Sequence, residues 1–243
     1  MTAVVTAACS THSVEVEENM YCGILSIGGS TVSEVSDGST NNVVEGLQIP
    51  LTGEFAVTLT GDNGSSMSWS TVTEFNAESP YLAKGGYTIE LSYGDTEAEG
   101  YDMPCFKGSA QAVVQPRKTT EATVKAFIAN SLVAIECTDR FSSYFPEAEF
   151  CITTAAGGCF TTELPMQGPL FVSPDGSVEV VCTARKQTGE EVVFPAQEIT
   201  PAPRTRYTLR YDVAQAGGTT LQITLNNELE EEIDIEAELN EYV

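Results

Sequence analysis

The sequence predicts an all-β fold built from two tandem β-sandwich domains. Strand-like runs recur at roughly 8–12 residues with turn signals between them, a spacing typical of sandwiches and barrels. No stretch has sustained helical periodicity, and 42 % hydrophobic against 19 % charged residues is the composition of a globular chain. In the 243 residues we expect a polar tether over 1–21, a first sandwich over 22–128 and a second over 129–243. Each sandwich is near the usual size of one domain.

Alternating apolar residues and hairpin turns define the first predicted sandwich. Phe55, Val57 and Leu59 alternate with more polar positions, which indicates a half-buried strand. Asn63 and Gly64 follow as a tight turn, because this pair favours positive φ. We predict polar loops at 30–42 and 94–103. The predicted strands of this half are 22–29 (ending at two glycines), 43–50, 53–60, 67–75, 87–93, 106–115 and 119–127.

The second predicted sandwich repeats this pattern. The run 139–147 is the best candidate for a short helix or 3₁₀ turn before Pro146. The triplet 174–176, Pro-Asp-Gly, is a strong turn signal. The last run alternates glutamate with apolar residues, as a strand with one solvated face does. The predicted strands of this half are 132–137, 148–154, 159–164, 170–173, 177–186, 192–199, 206–214, 219–226 and 230–239.

The charge balance restricts the partners. The chain has 35 acidic and 11 basic residues, a formal charge of −24. Nucleic acid is therefore not expected as a partner, because phosphate binding needs a basic patch, and an anionic membrane surface is disfavoured for the same reason. Solubility of an exposed protein is the simplest reading of the charge. Calcium binding is the alternative, but the chain has no Asp-x-Asp-x-Asp-Gly loop, and we predict no metal and no cofactor.

The N-terminus suggests a lipid anchor. No apolar run reaches the roughly 18 residues of a membrane helix. The small residues before Cys9 resemble the end of a bacterial lipoprotein signal, in which the cysteine becomes lipidated. The acidic, polar run 10–19 resembles the surface-export signal of Bacteroidetes lipoproteins. We therefore predict lipidation of Cys9 in the precursor, at the outer membrane and cell surface; the alternative is a disordered terminus with a chance cysteine.

The remaining cysteines permit disulfides but do not require them. Seven cysteines leave six once Cys9 is set aside, an even number. Cys151 and Cys159 flank a predicted hairpin turn and could face each other as a disulfide, although cross-strand cysteines are also often free. Zinc is a weaker hypothesis, because the chain has no Cys-x-x-Cys and its single histidine, His12, lies in the tether.

No catalytic motif is present, and we predict that the protein is not an enzyme. A single histidine in a tether argues against a Ser-His-Asp or Cys-His site, whereas a carboxylate pair for glycoside hydrolysis would require a deep polar cleft. Aromatic side chains near loops, Trp69, Tyr81 and Tyr101, are candidates for glycan contact by stacking. The alternative for Trp69 is a place in the core.

A series of short motifs runs from Gly23 to Asn130. They are Gly-Ile-Leu-Ser-Ile at 23–27, Phe-Ala-Val-Thr-Leu at 55–59, Gly-Gly-Tyr-Thr-Ile at 85–89, Cys-Phe-Lys-Gly-Ser at 105–109, Lys-Thr-Thr-Glu-Ala-Thr-Val at 118–124 and Ala-Asn at 129–130. In this order they resemble the DUF4493-type lipoproteins of Bacteroidetes, which are similar in turn to fimbrillin-type adhesins with two transthyretin-like, Ig-like sandwiches. The resemblance implies an exported, lipid-anchored β-protein and supplies no catalytic residues.

One departure from the fimbrillin pattern concerns activation. Fimbrillin-type pilins are often cleaved after an N-terminal arginine, which frees a groove for a partner's donor strand. The first basic residue of this sequence is Lys84, so we expect no such step near the N-terminus. Another protease acts, or the protein is a minor, tip or anchor component, or it is not a pilin.

The expected function is a non-catalytic cell-adhesion or fimbria-like assembly role of a surface lipoprotein. Its expected partners are other surface or fimbrial proteins, and it meets the membrane only through the lipid. The alternative is a glycan-binding accessory protein of a polysaccharide-utilisation system, with host or dietary glycans as partners.

Overall fold

A computed structural model describes residues 21–32, 34–36, 41–43, 47–166, 168–214, 220–226 and 233–238. Regular structure in these residues is almost entirely β-strand, which confirms the predicted all-β class. The strands are β1 Cys22–Val32, β2 Glu34–Ser36, β3 Asn41–Val43, β4 Ala56–Gly61, β5 Ser66–Trp69, β6 Tyr81–Ala83, β7 Gly85–Tyr93, β8 Phe106–Val114, β9 Thr119–Ile128, β10 Ser131–Cys137, β11 Glu147–Thr154, β12 Cys159–Glu163, β13 Leu170–Val172, β14 Val178–Arg185, β15 Glu191–Val193, β16 Gln197–Ile199, β17 Arg206–Ala214, β18 Thr220–Asn226 and β19 Ile233–Glu238. The helices are α1 Val72–Glu78 and α2 Asp139–Tyr144, and Thr52–Glu54 is a 3₁₀ turn.

The described residues divide into two compact units. The first contains β1, Gln48–Gly94 and Cys105–Ile128. The second contains β2, β3, Asp95–Pro104 and the described residues from Ala129 onward. Most of the predicted polar loop 94–103, which we expected in the first sandwich, thus belongs to the second unit. The domain boundaries at 22–128 and 129–243 stay a prediction.

The first unit is one seven-stranded sheet in the order β5-β4-β7-β8-β9-β1-β6. β7 and β8 pair along their whole length, whereas β8 and β9 pair only from Phe106 opposite Ile128 to Gly108 opposite Ala126. Beyond Gly108 the strands part, while β1 approaches β8 and β7 approaches β9. The sheet therefore folds over on itself around a common core. A Cβ on Gly108 would overlap the Lys125 carbonyl oxygen, so the close approach at this corner requires glycine.

The core of the first unit follows from period-two alternation. Every second residue is buried along β4, from 87 to 91 in β7 and from 122 to 128 in β9, and the residues between them are partly or fully exposed. β1 lies parallel to β9, from Ile24 opposite Thr119 to Val32 opposite Phe127. The buried apolar side chains include Leu25, Ile27, Phe55, Val57, Leu59, Phe75, Ile89, Leu91, Phe106, Val124 and Ile128.

The second unit is a two-sheet sandwich. One sheet has the order β13-β10-β17-β18-β19, and the other has the order β12-β11-β14-β15, with β16 also paired to β14. β10 and β17 are parallel, with Val133 opposite Tyr207. The inner faces of both sheets contribute to one apolar cluster, in which Ile135 and Tyr211 come from the first sheet and Phe150 from the second. This facing arrangement leaves the other face of the β12-β11-β14-β15 sheet toward solvent.

The predicted strand 67–75 is wrong in its second half. It ends at Trp69, and Phe75 lies in helix α1. Thr71 caps this helix by accepting a hydrogen bond from the Glu74 backbone N–H at 3.0 Å, and the Glu74 carboxylate accepts one from the Ser70 N–H at 3.0 Å. Thr-x-x-Glu is a capping-box pattern that was available in the sequence. The helix buries Val72 and Phe75 over the first unit's core.

Other strand boundaries also differ from prediction. β1 continues past its two glycines to Val32, because β9 supplies backbone partners along its length. The predicted strand 53–60 begins only at Ala56, after the 3₁₀ turn. Within the predicted strand 43–50, the described residues 47–50 have no strand structure; β2 lies inside the predicted loop 30–42, and β3 begins inside it and ends at Val43. The predicted strand 192–199 is split into β15 and β16 around Pro195, which has no N–H to donate. The predicted helix at 139–147 is confirmed as α2.

Candidate functional site

Trp69 is a half-buried residue at the end of β5, an edge strand of the first unit. Its indole N–H donates to the Glu78 carboxylate at 2.6 Å. Its ring lies edge-on to Phe75, with centroids 4.7 Å apart. Both partners come from α1, so the cap at Thr71 positions Trp69 indirectly. Trp69 is thus part of the packing of α1 and also keeps part of its surface accessible.

Tyr81 and Tyr101 are the more accessible of the predicted glycan contacts. Tyr81 is 45 % exposed on β6, where it lies opposite Ile24 at the edge of the first sheet. Tyr101 is 36 % exposed in the segment Asp95–Pro104 of the second unit. Its ring packs edge-on to Phe160 of β12, with centroids 6.5 Å apart. An exposed phenol face with one edge held by packing can stack on a sugar ring.

The segment carrying Tyr101 is anchored by its neighbours, and this anchor was missed by sequence reasoning. The Glu99 carboxylate accepts a short hydrogen bond from the Thr154 hydroxyl and one from the Ser173 N–H at 3.0 Å. Gly100 and Phe171 exchange two backbone hydrogen bonds of 3.0 Å each. No local sequence signal connects residues 55 to 74 positions apart. These bonds fix Asp95–Pro104 along the second unit.

The three aromatic candidates are divided between the two units. Trp69 and Tyr81 belong to the first unit and Tyr101 to the second. Within the first unit Trp69 packs against Phe75, and within the second Tyr101 packs against Phe160.

Cys151 and Cys159 lie together on the outer face of the second unit. Cys151 is opposite Thr161, and Cys159 is opposite Thr153, so the two cysteines are diagonal neighbours across the β11–β12 ladder. Their Sγ atoms are 3.3 Å apart. The pKa of the Cys159 thiol is raised, first because its hydrogen bond with the Cys151 sulfur favours the protonated form and then because of the charge that Cys151 carries when ionised. The disulfide between them stays a prediction.

A polar cleft on the same sheet was also missed by sequence reasoning. It has a volume of about 530 Å³ and lies between α2 and the ends of β11, β12, β14 and β15. Arg185 lies between Glu147 at 3.6 Å and Glu191 at 3.5 Å. Glu149 faces Glu163 on the neighbouring strand. Cross-strand register, rather than sequence proximity, gathers these charges. The carboxylates can accept hydrogen bonds from hydroxyl groups in the cleft, and Arg185 can donate them.

The remaining site predictions concern the anchor and metals. Cys9 and His12 lie outside the described residues. No group of three or more His, Cys, Asp or Glu side chains within the described part of the chain is arranged to hold a metal ion. None of the described helices has the length and apolar character needed to cross a membrane.

The fold and these surfaces define an all-β protein whose candidate sites are strand edges, exposed tyrosines and a polar cleft. The chain belongs to the DUF4493 family, a domain of unknown function, whose profile matches residues 22–241. The predicted family resemblance is thereby confirmed. No sequence among curated proteins matches the chain significantly.

Several solved structures are similar to the chain at low identity. A candidate polysaccharide-binding protein from Bacteroides thetaiotaomicron has 8 % identity and a TM-score of 0.43, with 90 % of this chain and 99 % of that chain covered. A candidate cell adhesion protein from the same species has 14 % identity and a TM-score of 0.42, with 81 % and 95 % covered. The fimbrial anchor protein Mfa2 from Porphyromonas gingivalis has 10 % identity and a TM-score of 0.37, with 84 % and 97 % covered.

Proposed function

We propose that this protein is a non-catalytic surface lipoprotein with a cell-adhesion or fimbria-like assembly role. The observation that carries the proposal is membership of the DUF4493 family across 22–241, in a chain whose start resembles a lipoprotein signal. Cys9 is the proposed lipid-bearing residue of the precursor. The acidic run 10–19 is the proposed tether between the lipid and the folded units.

Strand edges support an assembly role physically. β5 lies at one edge of the first sheet, and β12 lies at one edge of a sheet of the second unit. Edge strands present backbone N–H and C=O groups that an extended segment of another protein can pair with. The formal charge of −24 opposes non-specific self-association at these edges. Together these features favour pairing with selected partners over aggregation.

The anchor is tested by metabolic labelling of the full-length precursor with an alkyne fatty acid. Label is expected on the wild-type protein and not on Cys9→Ala. The lipidated protein should also be accessible to antibody on intact cells. Cells that lack the protein should adhere less to a substratum, and re-expression of wild type should restore adhesion better than Cys9→Ala. Absence of label, or label that survives the substitution, would exclude Cys9 as the anchor.

Exposed tyrosines favour a second candidate function, glycan binding. Tyr81 and Tyr101 are exposed aromatic side chains, which a sugar-stacking site needs. A glycan array with purified protein tests this, with Tyr81→Ala and Tyr101→Ala as site variants. Tyr144→Ala is the matched control, because Tyr144 is 43 % exposed on α2 and was not predicted to bind glycan. Saturable binding that a site variant abolishes and the control keeps would favour the glycan-binding role.

The polar cleft provides the test of the non-catalytic part of the proposal. An enzyme acting on glycans would need paired carboxylates, and Glu149 and Glu163 are the facing pair of the cleft. We expect no hydrolysis of oligosaccharides or polysaccharides by the purified protein. Turnover that is lost in both Glu149→Gln and Glu163→Gln would overturn the non-catalytic assignment.

A further inference from the structure

The outer face of β11 and β12 carries two cysteines that the adhesive role does not use. Burial alternates along β11: Phe150 and Ile152 are fully buried, while Cys151 between them is on the opposite, solvent side. Cys159 begins β12 and is exposed. The core residues fix the direction in which both strands present their outward side chains. The two thiols are therefore held on the same accessible face rather than meeting by chance motion.

The register brings these thiols within reach of a covalent bond. They are diagonal partners of the β11–β12 ladder, and diagonal side chains in an antiparallel pair are still close enough to touch. The Sγ–Sγ distance of 3.3 Å must shorten by about 1.3 Å to reach a disulfide bond length. The hairpin is fixed between them, because the Thr154 N–H donates to the Gly158 carbonyl oxygen at 2.9 Å and the Gly157 N–H donates to the Thr154 carbonyl oxygen at 3.0 Å. Rotation of the two side chains is the movement that brings the sulfurs toward that bond length.

Two buried cysteines differ from this pair in accessibility. Cys105 and Cys182 are fully buried in the cores of the first and second units. An external oxidant reaches neither without local unfolding. The accessible thiol at Cys159, with a second thiol in contact, is the arrangement that thiol–disulfide exchange requires.

We propose that Cys151 and Cys159 are an oxidisable dithiol, closed to a cross-strand disulfide by exchange with a disulfide-bearing oxidoreductase. The Cys159 thiolate attacks the oxidoreductase disulfide, forms a mixed disulfide and releases one oxidoreductase thiolate. The Cys151 thiolate then attacks the Cys159 sulfur and expels the second oxidoreductase thiolate. Two electrons pass to the oxidoreductase, and the two protons lost by the cysteines end on its reduced thiols.

Formation of the Cys151–Cys159 disulfide affects β12, which is an edge strand. β12 is paired only with β11 within the described sheet, through five register pairs from Glu149–Glu163 to Thr153–Cys159. In the reduced protein β12 is held by this ladder and by the packing of Phe160. In the oxidised protein a covalent bond at its first residue also joins it to β11. The oxidation state thus sets how readily the edge strand separates from its neighbour, and the same edge is one of those that a partner segment could use.

The experiment treats the purified, reduced protein with oxidised glutathione as the disulfide donor. Exposed thiols are then alkylated natively with iodoacetamide, and the protein is unfolded and digested with a glutamate-specific protease. Cleavage after Glu149 and Glu163 releases 150–163 with both cysteines, whereas Cys182 falls in a separate peptide. We expect peptide 150–163 to be two hydrogens lighter, to escape alkylation and to recover both thiols after dithiothreitol. Cys182 should resist native alkylation with or without oxidant.

Variants that lack one of the two cysteines distinguish disulfide formation from oxidation of a single exposed thiol. Cys151→Ser lacks the resolving thiol, so it should accumulate a glutathione adduct on Cys159 that wild type does not retain. Amide exchange of β12 should be slower in oxidised than in reduced wild type and unchanged by oxidant in Cys159→Ser. A stable glutathione adduct on wild-type Cys159, or two alkylated thiols after oxidant, would overturn the proposal.

Discussion

Replacing Glu99 with alanine removes the side chain that fixes Asp95–Pro104 in the second unit. The carboxylate accepts from the Thr154 hydroxyl and from the Ser173 N–H, which is 3.0 Å away. Thr154 is only 5 % exposed, so its hydroxyl has little access to water as a substitute partner. The variant therefore removes two charge-assisted hydrogen bonds and leaves a nearly buried donor without its acceptor.

The expected loss is about 2–3 kcal/mol in the free energy of unfolding of the second unit. A hydrogen bond to a charged group contributes about 1.5–3 kcal/mol, and we take the lower end for each bond because Glu99 is half-buried. Glu99→Gln keeps an acceptor oxygen without the charge and should lose about half as much. Glu97→Ala is the matched control, since Glu97 is exposed two positions away; it should change stability by less than about 0.5 kcal/mol.

Urea unfolding followed by far-UV circular dichroism measures the loss. The single tryptophan, Trp69, lies in the first unit, so its fluorescence transition is an internal control that should not move. Hydrogen exchange adds a local measurement, because the amides of Gly100, Phe171 and Ser173 should all exchange faster in Glu99→Ala. Equal stability of Glu99→Ala and Glu97→Ala, with unchanged protection of Ser173, would refute the anchoring role.

Three further predictions concern the cap, the corner and the buried thiols. Thr71→Ala should lower the free energy of unfolding of the first unit by about 1 kcal/mol, because α1 loses its cap. Tryptophan fluorescence during urea unfolding measures this loss, and an unchanged transition would show that the cap is dispensable. Gly108→Ala should destabilise the first unit by more than about 2 kcal/mol in the same assay, because the new Cβ would lie 2.9 Å from a backbone Cα and would overlap a carbonyl oxygen. Gly28→Ala is the control and should cost far less, since its Cβ meets nothing closer than 3.9 Å. Similar losses in the two variants would contradict the close approach at Gly108. Burial raises the pKa of Cys137 to about 12 and also raises that of Cys182. Unfolded thiols therefore ionise first, and the second unit should lose stability progressively between about pH 9 and pH 12. Cys137→Ala should flatten this loss in urea titrations at each pH, and an unchanged slope would exclude the thiol as its source.

Strand content was predictable because alternation in the sequence matches the pleat. Tyr87, Ile89 and Leu91 point to one face, and the structure has β7 there with these residues in the core. Helix α1 was mispredicted because its two buried residues, Val72 and Phe75, are too few to show helical periodicity. The capping residues contain the signal that periodicity lacked.

The candidate sites were predictable only where their members are close in sequence. Cys151 and Cys159 flank a four-residue turn, and hairpin geometry alone suggests that they meet. The cleft around Arg185 draws Glu147 and Glu191 from strands paired across the sheet, so their proximity depends on register. A register shift of one residue would turn these side chains to the other face.

The sequence by itself determined the all-β class and the acidic surface, because apolar alternation and charge are local or summed properties of the chain. Family membership follows from the order of its motifs. Only the tertiary structure decided that the first sheet folds over at Gly108 and that Glu99 anchors Asp95–Pro104 in the second unit. These features depend on contacts between residues far apart in the chain, and such contacts are selected by the packing of whole sheets rather than by any local pattern.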